Sequence, residues 1–171
     1  DAYRKKNDVK VVLENQKILL DKLDGNKIRV VFLVMHESVW KVDSVFKLMQ
    51  QDPYFEPEIL VCPYMHYGEE RMLDDMDKAY KHFKGMGYPV KKSKKKDGSW
   101  LRLKEMKPDL VFFTNPYKLT KDEYYENAYL NYLSCYVPYY YMVTKHTGNE
   151  YSQFNNPIFL FAWKVYWPHE V

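Results

Sequence analysis

"KIRVVFLVMHESVWKVDSVFKLMQ", residues 27–50, decides how the chain is read. Apart from Arg29, Ile28 to Val34 is a continuous apolar run rich in β-branched residues. A strand with one face in water alternates apolar and polar residues. A strand covered on both faces does not alternate, and parallel sheets are covered on both faces. From Trp40 to Gln50 the spacing turns helical, with Val42, Val45, Phe46 and Met49 on one side. Asp52-Pro53 stops the helix, because the residue before proline is driven out of the helical region.

The same alternation continues downstream. "EILVC" (58–62) reads as a second strand, and residues 63–68 as its loop. Residues 69–87 read as a helix with the face Met72, Met76, Ala79, Tyr80 and Phe83, closed by Gly85 and Gly87. Its acidic start and basic end suit the helix dipole. Tyr88 to Val90 is a short third strand. Lys91 to Lys96 carries five lysines around Ser93, the pattern of a solvated loop. A turn or short helix follows at Trp100–Met106, then a strand at Leu110–Phe113 and a loop at Asn115-Pro116-Tyr117. "KDEYYENAYLNYL" (121–133) reads as one helix, with Thr120 as N-cap and Glu123 completing a capping box. Cys135–Val137 is the fifth strand; residues 144–156 are polar and loop-like. "NPIFLFAWKVYW" (156–167) reads as a helix opened by Pro157 or as a strand, the helix being the favoured reading.

Upstream, residues 3–24 read as a helix with Val9, Val12, Leu13, Gln16, Leu20 and Leu23 at helical spacing, ended by Gly25-Asn26. The expected organisation is therefore an N-terminal helical arm (1–26) and one α/β domain (27–171). That domain is Rossmann-like and doubly wound, with a mostly parallel five-stranded sheet and flanking helices.

Composition fits one globular domain: 171 residues, 46% hydrophobic and 29% charged. A net charge of +3 gives no argument for nucleic acid. No apolar stretch approaches the roughly 20 residues that span a bilayer. Cys62 and Cys135 each follow apolar residues, form no metal spacing, and read as buried reduced thiols. The five histidines are scattered, so no metal site is expected. The first strand-to-helix turn, "VMHESVW" (34–40), has no G-x-G-x-x-G, and the chain has neither a P-loop nor a G-x-S-x-G elbow. Nor does it carry the acidic strand ends of a phospho-receiver domain.

The compositional oddity is aromatic: 18% overall, with 17 tyrosines. "LSCYVPYYYMV" (133–143) alone holds four. Ligands of doubly wound sheets sit beyond the carboxyl ends of the strands. Those ends carry Met35-His36-Glu37-Ser38, Pro63-Tyr64-Met65-His66-Tyr67, Thr114-Asn115-Pro116-Tyr117 and Pro138-Tyr139-Tyr140-Tyr141. Tyr136 is expected to face the core, and Tyr139 to Tyr141 the sheet's carboxyl end.

Four stretches carry a resemblance. "KPDLVFFTNPY" (107–117), the tyrosine-rich helix after it, "CYVPYYY" (135–141) and "FAWKVYW" (161–167) resemble the N-terminal half of the CDP-glycerol glycerophosphotransferase family. These are the teichoic-acid and capsule polymerase-type enzymes of bacteria. "WKVDSVF" (40–46) with "FEPEILVCPY" (55–64) resembles the family's first βαβ unit. Tyr140 stands where that family often has Gly.

The resemblance implies half of a GT-B arrangement, two Rossmann-like domains facing a cleft. The C-terminal half, which binds the nucleotide donor, would begin after this sequence stops. The chain is then expected to be the acceptor-side domain, inactive alone and without a cofactor of its own. His36, Glu37, Tyr64, His66, Asn115, Tyr117, Tyr139 and Tyr151 would line the acceptor side of the cleft. His36 or Glu37 would be the base that takes the acceptor's hydroxyl proton.

The implied partners are the chain's own donor domain, a polyol-phosphate or saccharide acceptor, and the inner membrane face of a cytoplasmic enzyme. Interface tyrosines and tryptophans such as Trp163 and Trp167 would then face the donor domain. Two alternatives stand beside this. One is a stand-alone module binding carbohydrate or protein through the aromatic rim. The other is a peripheral membrane adaptor, using the 91–96 lysines and the N-terminal helix on anionic lipid.

Overall fold

In the computed structural model, β1 (Ile28–Val34) is buried at every position except Arg29. The structure describes residues 26–138 and 156–166, together with positions 13, 14, 17, 18 and 21 of the N-terminal arm, which are helical. β1 lies centrally in a six-stranded sheet of order β3-β2-β1-β4-β5-β6. The others are β2 (Phe55–Val61), β3 (Val90–Lys92), β4 (Leu110–Phe113), β5 (Leu133–Tyr136) and β6 (Lys164–Val165). Every pairing is parallel. The chain builds outward from β1 in one direction, then returns through β4 to build in the other.

Five helices cover the two faces: α1 (Asp43–Gln51), α2 (Glu69–Gly85), α3 (Leu103–Met106), α4 (Glu126–Asn131) and α5 (Pro157–Phe161). On one face Val30, Phe32 and Val34 pack with Phe46 of α1 and Met72, Met76, Ala79 and Phe83 of α2. On the other, Val31, Leu33 and Leu60 pack with Leu103, Ala128, Tyr129, Ile158 and Phe161 from α3, α4 and α5. Odd and even positions of β1 thus both meet helices, which is why its sequence does not alternate. Among the described residues no helix is long and apolar enough to cross a membrane.

Several expectations change. The sheet has six strands, not five, because the helix expected over 156–167 ends at Phe161 and Lys164–Val165 pairs with β5. Trp163, expected at an exposed interface, is half-buried against the core, and its N–H donates to the Ser134 carbonyl at 2.7 Å. β2 starts three residues early and contains Pro57. β3 pairs with β2 only from Ile59 onward, so Pro57 lies where β2 has no ladder on that side and its missing N–H costs nothing there. β3 itself runs through Lys91 and Lys92, so the lysine run is partly an edge strand, a place where lysines guard against unwanted pairing.

The helix expected over 121–133 divides into a 3-10 turn at Asp122–Tyr124 and α4. Thr120 does not cap it: its hydroxyl is buried without a hydrogen-bond partner. Glu123 instead accepts the Leu103 N–H at 2.8 Å and fixes the start of α3. α1 begins at Asp43, not Trp40, and the Trp40 indole N–H donates to Asp43 Oδ1 at 3.0 Å. α2 ends as read: Gly87, at φ 77°, takes the left-handed turn that a side chain would strain. Leu13 of the arm's apolar stripe is 56% exposed, so the domain does not cover the stripe at that position.

Candidate functional site

The order β3-β2-β1-β4-β5-β6 reverses direction between β1 and β4, and the loops leaving those strands diverge there. Thr114, the residue after β4, is 2% exposed and its hydroxyl donates to the Leu33 carbonyl at 2.9 Å. This clamp holds β4's exit against β1's exit.

After Val34 the chain bends at Met35, is extended at His36, then makes one 3-10 turn, Glu37–Val39. His36 does not cap that turn with its side chain. Its ring lies 5.1 Å from the Tyr64 ring, tilted 53°. Tyr64 follows β2 through Cys62-Pro63, and its ring also meets His66 at 5.5 Å and Tyr67 at 5.0 Å, both tilted. Partial burial raises the Tyr64 phenol above its ordinary value, and the Tyr67 hydroxyl beside it adds to that. Tyr64 therefore stays a neutral donor at physiological pH. His66 and Tyr67 are exposed, Tyr67 at 66%.

Glu37 has a cation nearby: Lys78 of α2 stands 3.9 Å from its Oε1. At that distance, with Lys78 70% exposed, the pair is weak. Asn115 uses its side-chain oxygen within its own turn, accepting the Tyr117 N–H at 2.8 Å. The next residue's carbonyl, that of Pro116, accepts the buried Tyr125 hydroxyl at 2.7 Å. Burial pushes the Tyr125 phenol up, so this bond survives at any physiological pH. The β4 loop joins the β2 loop through the Met65 N–H and the Leu119 carbonyl, 2.9 Å apart.

The structure thus gathers His36, Tyr64 and His66, with Tyr67 added, and sets Glu37 and the Asn115–Tyr117 loop beside them on the same sheet edge. Tyr139 and Tyr151, like Tyr140, Tyr141 and Trp167, lie outside the described residues. Sequence reading missed Thr114 as a clamp and Lys78 as Glu37's partner. The threonine was visible at the strand end, but its bond to a carbonyl 81 residues away had no local signal.

Two hollows lie away from this edge. One, of about 400 Å³, is at the amino ends of β1 and β2, lined by Arg29, Glu56, Glu58, Lys91 and Met106. Its charges pair among themselves, Arg29 with Glu56 at 3.5 Å and Lys91 with Glu58 at 2.9 Å. The other, about 600 Å³, lies between Arg102, Glu123, Asn127 and Tyr132. Neither brings together a nucleophile and a base. Among the described residues no group of three or more His, Cys, Asp or Glu could hold a metal ion.

Comparison of the chain with protein-family models, with curated proteins and with solved structures finds no match.

Proposed function

We propose that this chain is the acceptor-side domain of a transferase that moves CDP-linked glycerol phosphate, or another polyol phosphate, onto a bacterial cell-surface polymer. The observation that carries the reading is the contact of His36 with Tyr64 between the exits of β1 and β2, beside the switch point of the sheet. An acceptor with hydroxyls and an apolar carbon chain suits such a rim. The Tyr64 and Tyr67 rings cover carbon, while their hydroxyls and the His66 ring meet oxygen. His36 takes the proton of the attacking hydroxyl, the acceptor oxygen bonds to the donor phosphorus, and CMP leaves. Imidazole suits this role because it exchanges protons near neutral pH. Glu37, with Lys78 beside it, is the weaker choice.

The test is CMP release from CDP-glycerol by the full-length native protein. His36→Gln is expected to lower turnover by about 10²- to 10⁴-fold, the usual worth of a general base. Glu37→Gln is expected to cost far less. Full turnover in His36→Gln, or no CMP release from the native protein, would end this reading. A second reading, a carbohydrate-binding module without chemistry, is favoured by the exposure of Tyr67 and Met65 beside Tyr64. It predicts glycan binding with no turnover.

A further inference from the structure

We propose that Lys94, Lys121 and Trp100 form a phosphate-binding site on the carboxyl edge of the sheet. Lys94 Nζ lies 4.7 Å from the centre of the Trp100 ring, and Lys121 Nζ lies 4.8 Å from the same centre. Both ammonium groups lie against one indole, a ring that attracts cations through its quadrupole but carries no net charge to neutralise them.

The rest of the lysine run shows that carboxylates were within reach of its neighbours. Lys91 pairs with Glu58 at 2.9 Å, Lys92 with Asp77 at 2.7 Å and Lys95 with Glu105 at 2.8 Å. Lys94 and Lys121 have no carboxylate partner among the described residues. Yet both are half-buried, which is uncommon for lysine. Half-buried cations without a counter-ion are the arrangement an anionic ligand completes.

The backbone builds this arrangement. Ser93 N–H donates to the carbonyl of Val61, the last residue of β2, so Lys94 stands just past the strand edge. Lys94 and Trp100 face each other across an antiparallel bridge, whose turn is held by Asp97 accepting from both the N–H and the hydroxyl of Ser99. Lys121 arrives on the β4 loop that Met65 ties to the β2 loop at Leu119.

The chemistry fits a phosphate group: two cations beside a flat aromatic wall. The site does not rest on the transferase reading, because inorganic phosphate needs no acceptor hydroxyl or base to bind. If both hold, the site takes an acceptor phosphate while the His36–Tyr64 rim takes its hydroxyls.

Calorimetry on the full chain, with inorganic phosphate and glycerol 3-phosphate at constant ionic strength, tests it. A parallel arm uses vesicles of phosphatidylglycerol against phosphatidylcholine. The expected result is saturable one-to-one binding, weakened at least tenfold in Lys94→Gln/Lys121→Gln and retained in Lys94→Arg/Lys121→Arg. Lys96→Gln, an exposed lysine of the same run, leaves binding unchanged. Binding to phosphatidylglycerol alone, with that same dependence, assigns the phosphate to a lipid headgroup. No saturable binding in either arm overturns the site. So does equal loss in Lys96→Gln, the mark of diffuse charge attraction. The arginine variant keeps the test decisive if the glutamine pair fails to fold.

Discussion

The Thr114 hydroxyl donates to the Leu33 carbonyl across the switch point, joining the exits of β4 and β1 at 2.9 Å. The bond is buried, so water does not replace it when it is lost. Thr114→Val keeps the shape and removes the donor. It is expected to cost about 1–2 kcal/mol, the usual worth of such a bond plus partial desolvation of its acceptor. Urea midpoints measure this. Thr114→Ser should fall between the two, and a valine variant as stable as the parent would show that the clamp carries no stability.

Phe46 anchors the face that α1 and α2 cover. It is fully buried, with ring centroids 5.2 Å from Phe32, 5.4 Å from Trp40 and 4.8 Å from Tyr88. Phe46→Ala removes those edge contacts and leaves a cavity between sheet and helix. A loss of about 3–5 kcal/mol is expected. Against the roughly 5–15 kcal/mol that holds a typical domain, this is close to unfolding. Phe46→Leu should recover most of it in the same denaturation experiment; equal losses would mean the site collapses around either side chain.

Asp43 gives stability an acid limb. The Lys47 ammonium, bonded to it at 2.8 Å, is the main cause holding its carboxyl down to about 2 from the ordinary 3.8. The hydroxyl of Tyr88 and the indole N–H of Trp40 add to this. The folded value lies below the unfolded one, so the unfolded chain binds more protons between them and stability rises with pH through that window. The contribution is complete above about pH 3.8 and is lost as pH falls through about 2. With 35% of the side chain in solvent, the effect is small and salt screens part of it. The stability gap between the parent and Asp43→Asn should be flat above pH 4 and close towards pH 2. A gap that widens in acid contradicts the assignment.

Both cysteines are free and 1% exposed. Burial pushes the Cys135 thiol up to about 12 and raises Cys62 further in the same direction. Only the thiolate reacts, so neither should be alkylated in the folded chain at neutral pH, and both should react once urea unfolds it. Mass spectrometry after a short iodoacetamide pulse reads the result. Rapid labelling of one cysteine in native buffer would reveal local opening at its strand.

How far the sequence was legible follows from where the signals sit. β1 could be read because Ile28–Val34 has no polar interruption beyond Arg29, and burial on both faces demands that. Tyr136 could be assigned to the core and is 1% exposed. β6 could not be read. Two residues carry no period, and Lys164–Val165 is a strand only because β5 offers its edge. The break between Tyr124 and Glu126 was hidden because capping chemistry at Thr120 looked complete locally, while Glu123 bonds instead to α3. At the site, His36, Tyr64 and His66 could be singled out through topology, since the carboxyl ends of parallel strands lie on one edge of the sheet whatever their sequence. The Lys94–Trp100–Lys121 cluster joins two loops, and no local pattern announces it.

A polyol-phosphate acceptor bound at the His36–Tyr64 rim would sit against two histidine rings, His36 and His66. The most direct measurement is the NMR signals of the histidine rings during titration with a short poly(glycerol phosphate). The account predicts saturable, parallel shifts of His36 and His66, with His82 on α2 unmoved, and loss of both shifts in Tyr64→Ala. Histidine signals that stay still, or that drift together without saturating, would contradict it.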